Sequence, residues 1–407
     1  MKNLILITSE FPYYSGEPFL LNELPYLSKA FKQIYLFSIN GSKKDAQTRE
    51  VPINVQVYPL EDIKSNVKYI FNIAVGCTPS SKELKIKAQS IKHVLVSLYT
   101  RGRSQRIAKR IYQIIRNEKL DVKDTTVYSF WFAYQAVAGW LLADMLKNDG
   151  SCVYTVARAH GYDLYWERAS GGFLPFQDVS LRKLDKCFPC SDYGTKYLLE
   201  KYPWAESVIQ TARLGTKDHG LNPYNGEKTL VTCCNLEPLK RMSLFAKAFC
   251  KLAKKDKSLK WICIGSGEQE SQIIEIIKKA GLEKQVIMTG RLSNDKVMDI
   301  YKTQGIMFFC NVSTSEGIPV SIMEAQSFGI PVIATDVGGT NELVNNRNGL
   351  LIDADMTYDT LYMHLKHSFE LSQEMYNTMR RTSRETYEVV SSDCNNYSKW
   401  CECLMGR

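Results

Sequence analysis

Two carboxylates, Glu316 and Glu324, stand eight positions apart around the step Gly317-Ile318-Pro319, behind the apolar run Ile306-Met-Phe-Phe-Cys310. Gly317 admits backbone conformations closed to other residues and Pro319 suits the first helical position. The stretch therefore reads as strand, tight loop and helix start. A helix start presents free amides to an anion. Glu316 then lies in the loop at the ligand's edge, and Glu324, further into the helix, reaches another part of the same molecule. A phosphate-bearing, hydroxyl-rich ligand satisfies both positions. The plainer alternative is a pair of helix-start carboxylates that only complement the helix dipole.

Such a loop needs a sheet behind it, and the second half of the chain supplies one. Apolar runs at Leu230 to Cys234, Trp261 to Ile264, Val286 to Met288, Ile306 to Cys310 and Val332 to Ala334 alternate with segments of helical period. The loops after these runs bring Asn235 to Lys240, then Gly265-Ser-Gly267, Gly290-Arg291, Gly317 and Val337-Gly338-Gly339-Thr340 to one sheet edge. A lone Gly-Ser-Gly is only a turn, but successive glycine- or cation-bearing loops on one edge point to a ligand. The first half repeats the alternation with strand candidates at Leu4 to Ile7, Ile34 to Phe37, Val127 to Ser129, Val153 to Ala157 and Val208 to Leu214. Together they predict an α/β protein of two Rossmann-like doubly wound domains facing across a cleft. The run Gly220-Leu-Asn-Pro-Tyr-Asn-Gly226 reads as the linker. Residues 1–225 form the N-terminal domain, 226–390 the C-terminal domain, and 391–407 a final helix packing back on the first domain.

His160 lies just past the apolar strand Val153 to Ala157, at its carboxyl end, where active residues of such folds gather. A lone histidine is as readily structural, and Asp163 either orients it or caps the next turn. Glu17 and Glu23 read as acceptor-binding or as surface acids of the first helix. Asp353-Ala-Asp355 has a spacing used for metal-bound diphosphate, but it lies away from the phosphate loops, and no metal is expected.

The 407 residues, 44% hydrophobic and 23% charged, describe an ordinary globular protein. The first residues hold an apolar run too short for a signal peptide, and no stretch reaches membrane-span length. Twelve cysteines fall mostly inside strand-like runs, where they act as small hydrophobes in a reducing compartment. Cys187-Phe-Pro-Cys190 has no second pair to complete a zinc site. A cytoplasmic location follows. The formal charge of +9 is concentrated: residues 81–119 hold eleven Lys or Arg, Lys87 among them, against Glu83 and Glu118. Interleaved apolar residues make this one or two basic amphipathic helices, read either as a solvated face or as a dock for anionic lipid at the inner face of the cell membrane. Nucleic acid is not expected, because no recognisable binding motif accompanies the charge.

The run SEGIPVSIMEAQSFGIPVIATDVGGTNELV resembles the glycosyltransferase family 4 signature with its Glu-x7-Glu motif, in enzymes of the GT-B fold. GSGEQ, TGRL and NRNGLLI stand in the family's order, so the resemblance covers nearly all of residues 230–353. FPYYSGEPFLLNEL, YSFW and RAHGYDLY are similar to a bacterial surface-polysaccharide branch of the same family. The resemblance implies a retaining transfer of a sugar from a nucleotide-diphosphate sugar to a saccharide or lipid-linked acceptor, with no cofactor and no metal. It implies that Glu324 accepts from the ribose hydroxyls, while Glu316 and the backbone of Gly317, Ile318 and Pro319 meet the donor sugar. Lys240 neutralises the diphosphate, and Gly290-Arg291 faces the base mainly through the main chain. Gly265 and Gly267 complete the donor loops, Gly16 and Glu17 approach the phosphates, and His160 stands beside the sugar. One departure is clear: Asn235 occupies the place of a phosphate-binding arginine, which puts more of the charge on Lys240, helped by Arg241. Two other readings are a nucleotide-sugar epimerase of the same architecture and a non-catalytic nucleotide-sugar-binding subunit.

Overall fold

Strand alternation builds the first unit. In β1 (Asn3–Thr8), Leu4 and Leu6 point to one face of a sheet and Ile5 and Ile7 to the other, all four fully buried. Burial on both faces fits a parallel sheet covered by helices on both sides. The structure, a computed structural model, describes residues 1–62, 66–78, 82–86, 90–169 and 171–406. Lys87 of the basic segment and Arg407 of the tail lie outside the described residues.

The chain continues through α1 (Leu20–Ala30), β2 (Ile34–Ser38), β3 (Val55–Pro59), α2 (Asn66–Gly76), α3 (Ile91–Asn117), β4 (Asp124–Ser129) and α4 (Tyr134–Asn148). Then come β5 (Cys152–Ala159), α5 (Gln177–Lys183), β6 (Lys186–Pro189) and α6 (Asp192–Lys201). The six strands are parallel in the order β3-β2-β1-β4-β5-β6. Leu4, Leu6 and Leu36 pack with Leu20, Leu24 and Leu27 of α1, and Ile5, Ile7 and Phe37 pack with Ile107 and Ile111 of α3 and Trp140 of α4.

The second unit runs through β7 (Thr229–Cys233), α7 (Met242–Ala253), β8 (Lys260–Ile264), α8 (Glu270–Ala280), β9 (Val286–Gly290), α9 (Asn294–Thr303), β10 (Phe308–Asn311) and α10 (Val320–Ser327). It ends with β11 (Val332–Thr335), β12 (Gly349–Ile352), α11 (Tyr358–Ser368) and α12 (Gln373–Thr386). Its strand order, β12-β11-β10-β7-β8-β9, is the topology of the first unit read from the other edge. The order reverses between β1 and β4 in one sheet and between β7 and β10 in the other, and open α/β sheets bind ligands at such switch points.

The compact units are Met1–Arg213 with Tyr397–Arg407, and Leu214–Asn396. The glycine- and asparagine-rich run near 225 is already bolted to the second unit. Asn222 Nδ2 donates to the carbonyls of Tyr301 (2.6 Å) and Gln304 (2.8 Å), and Asp218 pairs with Arg384. In α13 (Asp393–Leu404), Tyr397, Trp400 and Leu404 join the apolar cluster of α1 and β1.

Three sequence expectations change. Val208 to Leu214 is not a strand; the place beside β5 is held by β6 (Lys186–Pro189), and a single bridge joins Ile209 to Cys187 at the outer edge of β6. Gly317 is not among the positive-φ glycines, a role taken in the neighbouring loop by Gly338. The basic segment is not a uniformly solvated face either. Arg101 donates to the carbonyls of Gly76 and Leu84, and Arg103, 1% exposed, pairs with Asp62 at 2.9 Å and reaches Asn40 at 3.1 Å. Arg106 pairs with the same Asp62, so the middle of α3 uses its cations to tie it to the rest of the first unit.

Candidate active site

At the switch point of the second sheet, the loop after β7 meets the loop after β10. Lys240, at the end of a short 3-10 turn (Pro238–Lys240), donates from Nζ to Glu316 Oε1 at 2.6 Å. Ser313 Oγ (2.6 Å) and Asn311 Nδ2 (3.2 Å) donate to the same oxygen. Three donors thus fix Glu316 through one carboxylate oxygen. Both partners are mostly buried, so the pair is screened less than a surface ion pair.

The helix α10 starts at Val320 with Pro319 before it and no side-chain cap, which leaves its first amides open to an anion. Behind this start the loop after β11 closes in. A Cβ on Gly338 (φ 57°) would come within 1.9 Å of the Glu316 carbonyl oxygen, and the Gly339 amide donates to the Gly317 carbonyl at 2.9 Å. A side chain at 338 would push the Glu316 loop out of place.

Glu324 lies in α10 and accepts from Asn294 Nδ2 at 2.8 Å. Burial raises its carboxyl pKa to about 7, with the Asn294 bond opposing the rise. The loops after β7, β8 and β9 are joined by main chain: the Leu236 amide donates to the Ser266 carbonyl (3.0 Å) and the Gly265 amide to the Gly290 carbonyl (2.9 Å), with Gly267 approaching Leu236.

Asn235 has a partner that sequence reasoning missed. Arg291 Nη2 donates to Asn235 Oδ1 at 3.1 Å, so Arg291 brings a guanidinium to the place where a positive charge is lacking. Arg241 does not serve there. Its left-handed backbone (φ 52°) turns the guanidinium to the carbonyls of Val312 (2.6 Å), Ser313 (3.0 Å) and Ala354 (2.8 Å). Arg241 tethers loops, and the Asp353-Ala-Asp355 segment is one of its anchors. Among the described residues no group of three or more His, Cys, Asp and Glu is placed to hold a metal ion.

In the first unit His160 follows β5. Its ring is packed by Phe130 (4.7 Å) and Trp131 (4.5 Å), and neither ring nitrogen has a hydrogen-bond partner among the described residues. Asp163 lies 3.8 Å from Nδ1, but its oxygens accept from the amides of His160 (2.9 Å), Gly161 (3.0 Å) and Phe132 (2.8 Å), so it caps the turn and ties two strand-end loops together. Burial opposes charging of the imidazole; Cys190 and the Asp163 carboxylate outweigh it and raise the pKa to about 9.

Two sequence-derived acids are held by hydrogen bonds inside the first unit. Glu17, 4% exposed, accepts from the amides of Ser9 (2.5 Å), Glu10 (2.8 Å) and Phe11 (2.8 Å) and from Trp131 Nε1 (2.7 Å). Its oxygens shape the loop after β1, and the Gly16 amide, bonded to Glu10 Oε2 (3.2 Å), belongs to the same loop. Glu23 is neither a surface acid nor an acceptor contact: it is fully buried and paired with Arg158 at 2.7 Å.

Residues 216–386 match the family described as Glycosyl transferases group 1, which accounts for most of the second unit. Over 182 residues the chain is 26% identical to N-acetyl-alpha-D-glucosaminyl L-malate synthase of Bacillus anthracis, covering 44% of this chain and 45% of that protein. Over 270 residues it is 24% identical to a GDP-mannose-dependent monoacylated alpha-(1-6)-phosphatidylinositol monomannoside mannosyltransferase of Corynebacterium glutamicum, covering 60% and 66%. The match to the first of these thus spans about half the relative's length. The fold is that of HepE from Anabaena, solved in complex with UDP, with a TM-score of 0.67, 16% identity and full coverage of both chains. Both units therefore have the parallel-sheet α/β fold of that structure.

Proposed function

We propose, with the group 1 glycosyltransferase match of the second unit as premise, that this chain is a retaining, metal-independent glycosyltransferase of family 4. On this reading it moves a hexose from a nucleotide-diphosphate sugar to a lipid-linked saccharide during surface-polysaccharide assembly at the cytoplasmic membrane face. The observation that carries the reading is the Lys240–Glu316 pair at the switch point, beside the uncapped start of α10. Cleaving a sugar–phosphate bond builds positive charge at the anomeric carbon and negative charge on the departing diphosphate. A cation and aligned amides at that phosphate lower the barrier. Lys240 and Arg291 supply the cations, and the backbone of Gly317, Ile318 and Pro319 the approach to the sugar. Ser313 and Asn311 keep Glu316 oriented when Lys240 turns to the phosphate. A glycosidase would need two carboxyls flanking one bond, whereas Glu324 serves the ribose. The UDP complex of the structural neighbour and the phosphatidylinositol-based substrate named for the Corynebacterium relative support the donor class and the lipid acceptor.

A thermal-shift screen of nucleotide sugars, followed by transfer assays on lipid extracts, tests this. One donor is expected to raise the melting temperature, since a ligand bound only to the folded state stabilises it. The product should keep the donor's anomeric configuration, and turnover should survive excess chelator. Activity lost in chelator and restored by Mg²⁺ would overturn metal independence, and epimerised donor without acceptor would assign an epimerase.

Glu324 gives a pH signature. Its raised pKa means that the free protein holds the neutral acid below about pH 7, whereas ribose hydroxyls donate best to the carboxylate. Nucleotide binding therefore releases a proton on the acid side, and affinity should rise by up to about tenfold from pH 6 to 8. Titration calorimetry reads this directly. Glu324→Gln should flatten the profile, and an unchanged profile in that variant would remove Glu324 from the site.

A further inference from the structure

The first unit exposes apolar side chains where a soluble domain would bury them. On α2, Val67, Ile70 and Phe71 are 78%, 69% and 52% exposed, and with Ala74 they follow the i, i+3, i+4, i+7 spacing of one helical stripe. The start of α3 repeats the pattern with Ile91, Val94 and Leu95 at 81%, 36% and 41%. The two helices pack closely enough that a Cβ on Gly102 would lie 1.8 Å from the Asn72 carbonyl oxygen. Apolar side chains grouped this way mark an interaction surface.

Beside the α2 stripe is a cavity of about 330 Å³ whose charged lining is Lys68, Arg106, Lys109 and Arg110 with Glu61 and Asp62. Asp62 is taken up by Arg103 and Arg106, and Lys68 Nζ donates to the Glu61 carbonyl at 2.6 Å. The Arg106 guanidinium lies 5.5 Å from the Phe71 ring and so joins cavity to stripe. Lys109 and Arg110 are exposed and make no ion pair among the described residues.

We propose that this face docks on an anionic lipid bilayer, the apolar stripes entering the headgroup boundary and lipid phosphates meeting Lys109 and Arg110. Apolar side chains with flanking cations are the composition that lies in a bilayer interface. A symmetric pairing with a second copy would instead set two like-charged cavities close to each other. The proposal rests on the membrane-face acceptor reading and names the surface that serves it, but it does not depend on the donor chemistry.

Co-sedimentation of the full chain with vesicles of phosphatidylcholine, alone or with phosphatidylglycerol, tests it. Binding is expected only with phosphatidylglycerol and should be released by high salt. Lys109→Ala and Arg110→Ala should each weaken it about fivefold. Ile70→Glu with Phe71→Glu should abolish it, while the melting temperature and its shift by a nucleotide sugar stay unchanged in all variants. Wild-type indifference to phosphatidylglycerol, or variants that pellet like wild type, would overturn the proposal. So would a solution dimer dispersed by Ile70→Glu, which would assign the face to a second copy. Loss of the nucleotide-sugar shift with vesicle binding intact would instead count against the donor reading alone.

Discussion

Lys240→Ala is expected to lower sugar transfer by about 10²–10³-fold, the size seen when one preorganised charge-stabilising donor is removed. Lys240 Nζ sits 2.6 Å from Glu316, and no other side-chain cation pairs with that carboxylate among the described residues. On the proposed reading its removal takes a cation from the diphosphate and leaves Glu316 to repel the departing anion. The loss should appear in kcat as well as kcat/KM, because the diphosphate gains further negative charge as the bond to the sugar breaks. Arg291→Ala should cost less and act mainly on donor affinity, since its guanidinium is exposed and tied to Asn235. Steady-state assays with the donor found by thermal shift compare the two. A Lys240→Ala enzyme within a few-fold of wild type would move the chemistry away from this pair.

Glu23→Ala is expected to destabilise the first unit by about 3–5 kcal/mol, because it strands a buried guanidinium. Arg158 and Glu23 are both fully buried, and their bond is only part of the arrangement. Arg158 Nη2 also donates to the carbonyls of Ala212 (3.0 Å) and Arg213 (3.1 Å), and Trp400 Nε1 donates to the other Glu23 oxygen at 2.7 Å. The guanidinium lies 4.4 Å from the Trp400 ring, an added cation–π contact. Replacing both charges, as Glu23→Leu with Arg158→Met, should recover much of the loss, since matched apolar residues often substitute for a buried pair without penalty. Urea unfolding of the two variants measures the difference. Equal destabilisation by single and double changes would mean that packing, not charge, accounts for the effect.

The strands of the second unit were legible because each is an apolar run closed by a glycine or cation at the same edge. β12 of that unit was not, nor were β3 and β6 of the first: each lies toward or at a sheet edge, and Val55–Pro59 is half-exposed, so its residues do not form a continuous apolar run. Val208 to Leu214 has a strand's composition and lies along the free edge of β6, but only a single bridge forms there, between Ile209 and Cys187. Around Glu316 and Glu324, the reading of strand, loop and helix start agrees with β10 and α10. What could not be read were partners far apart in the chain. Glu23 meets Arg158 across 135 positions and Glu17 meets Trp131 across 114, so both acids looked free. Arg241 looked like a helper of Lys240 because it is adjacent, but one left-handed residue sends its side chain elsewhere.

The donor-side loops are joined mostly by amides and carbonyls, from Gly265 with Gly290 to Gly339 with Gly317. Truncating side chains leaves those groups in place. An alanine scan of this edge would thus under-report it, registering side chains such as Lys240, Arg241 and Arg291 but not the main-chain bonds between the loops. The sensitive substitution is the opposite one: adding a single methyl at Gly338, against the Glu316 carbonyl, reaches the site through its scaffolding.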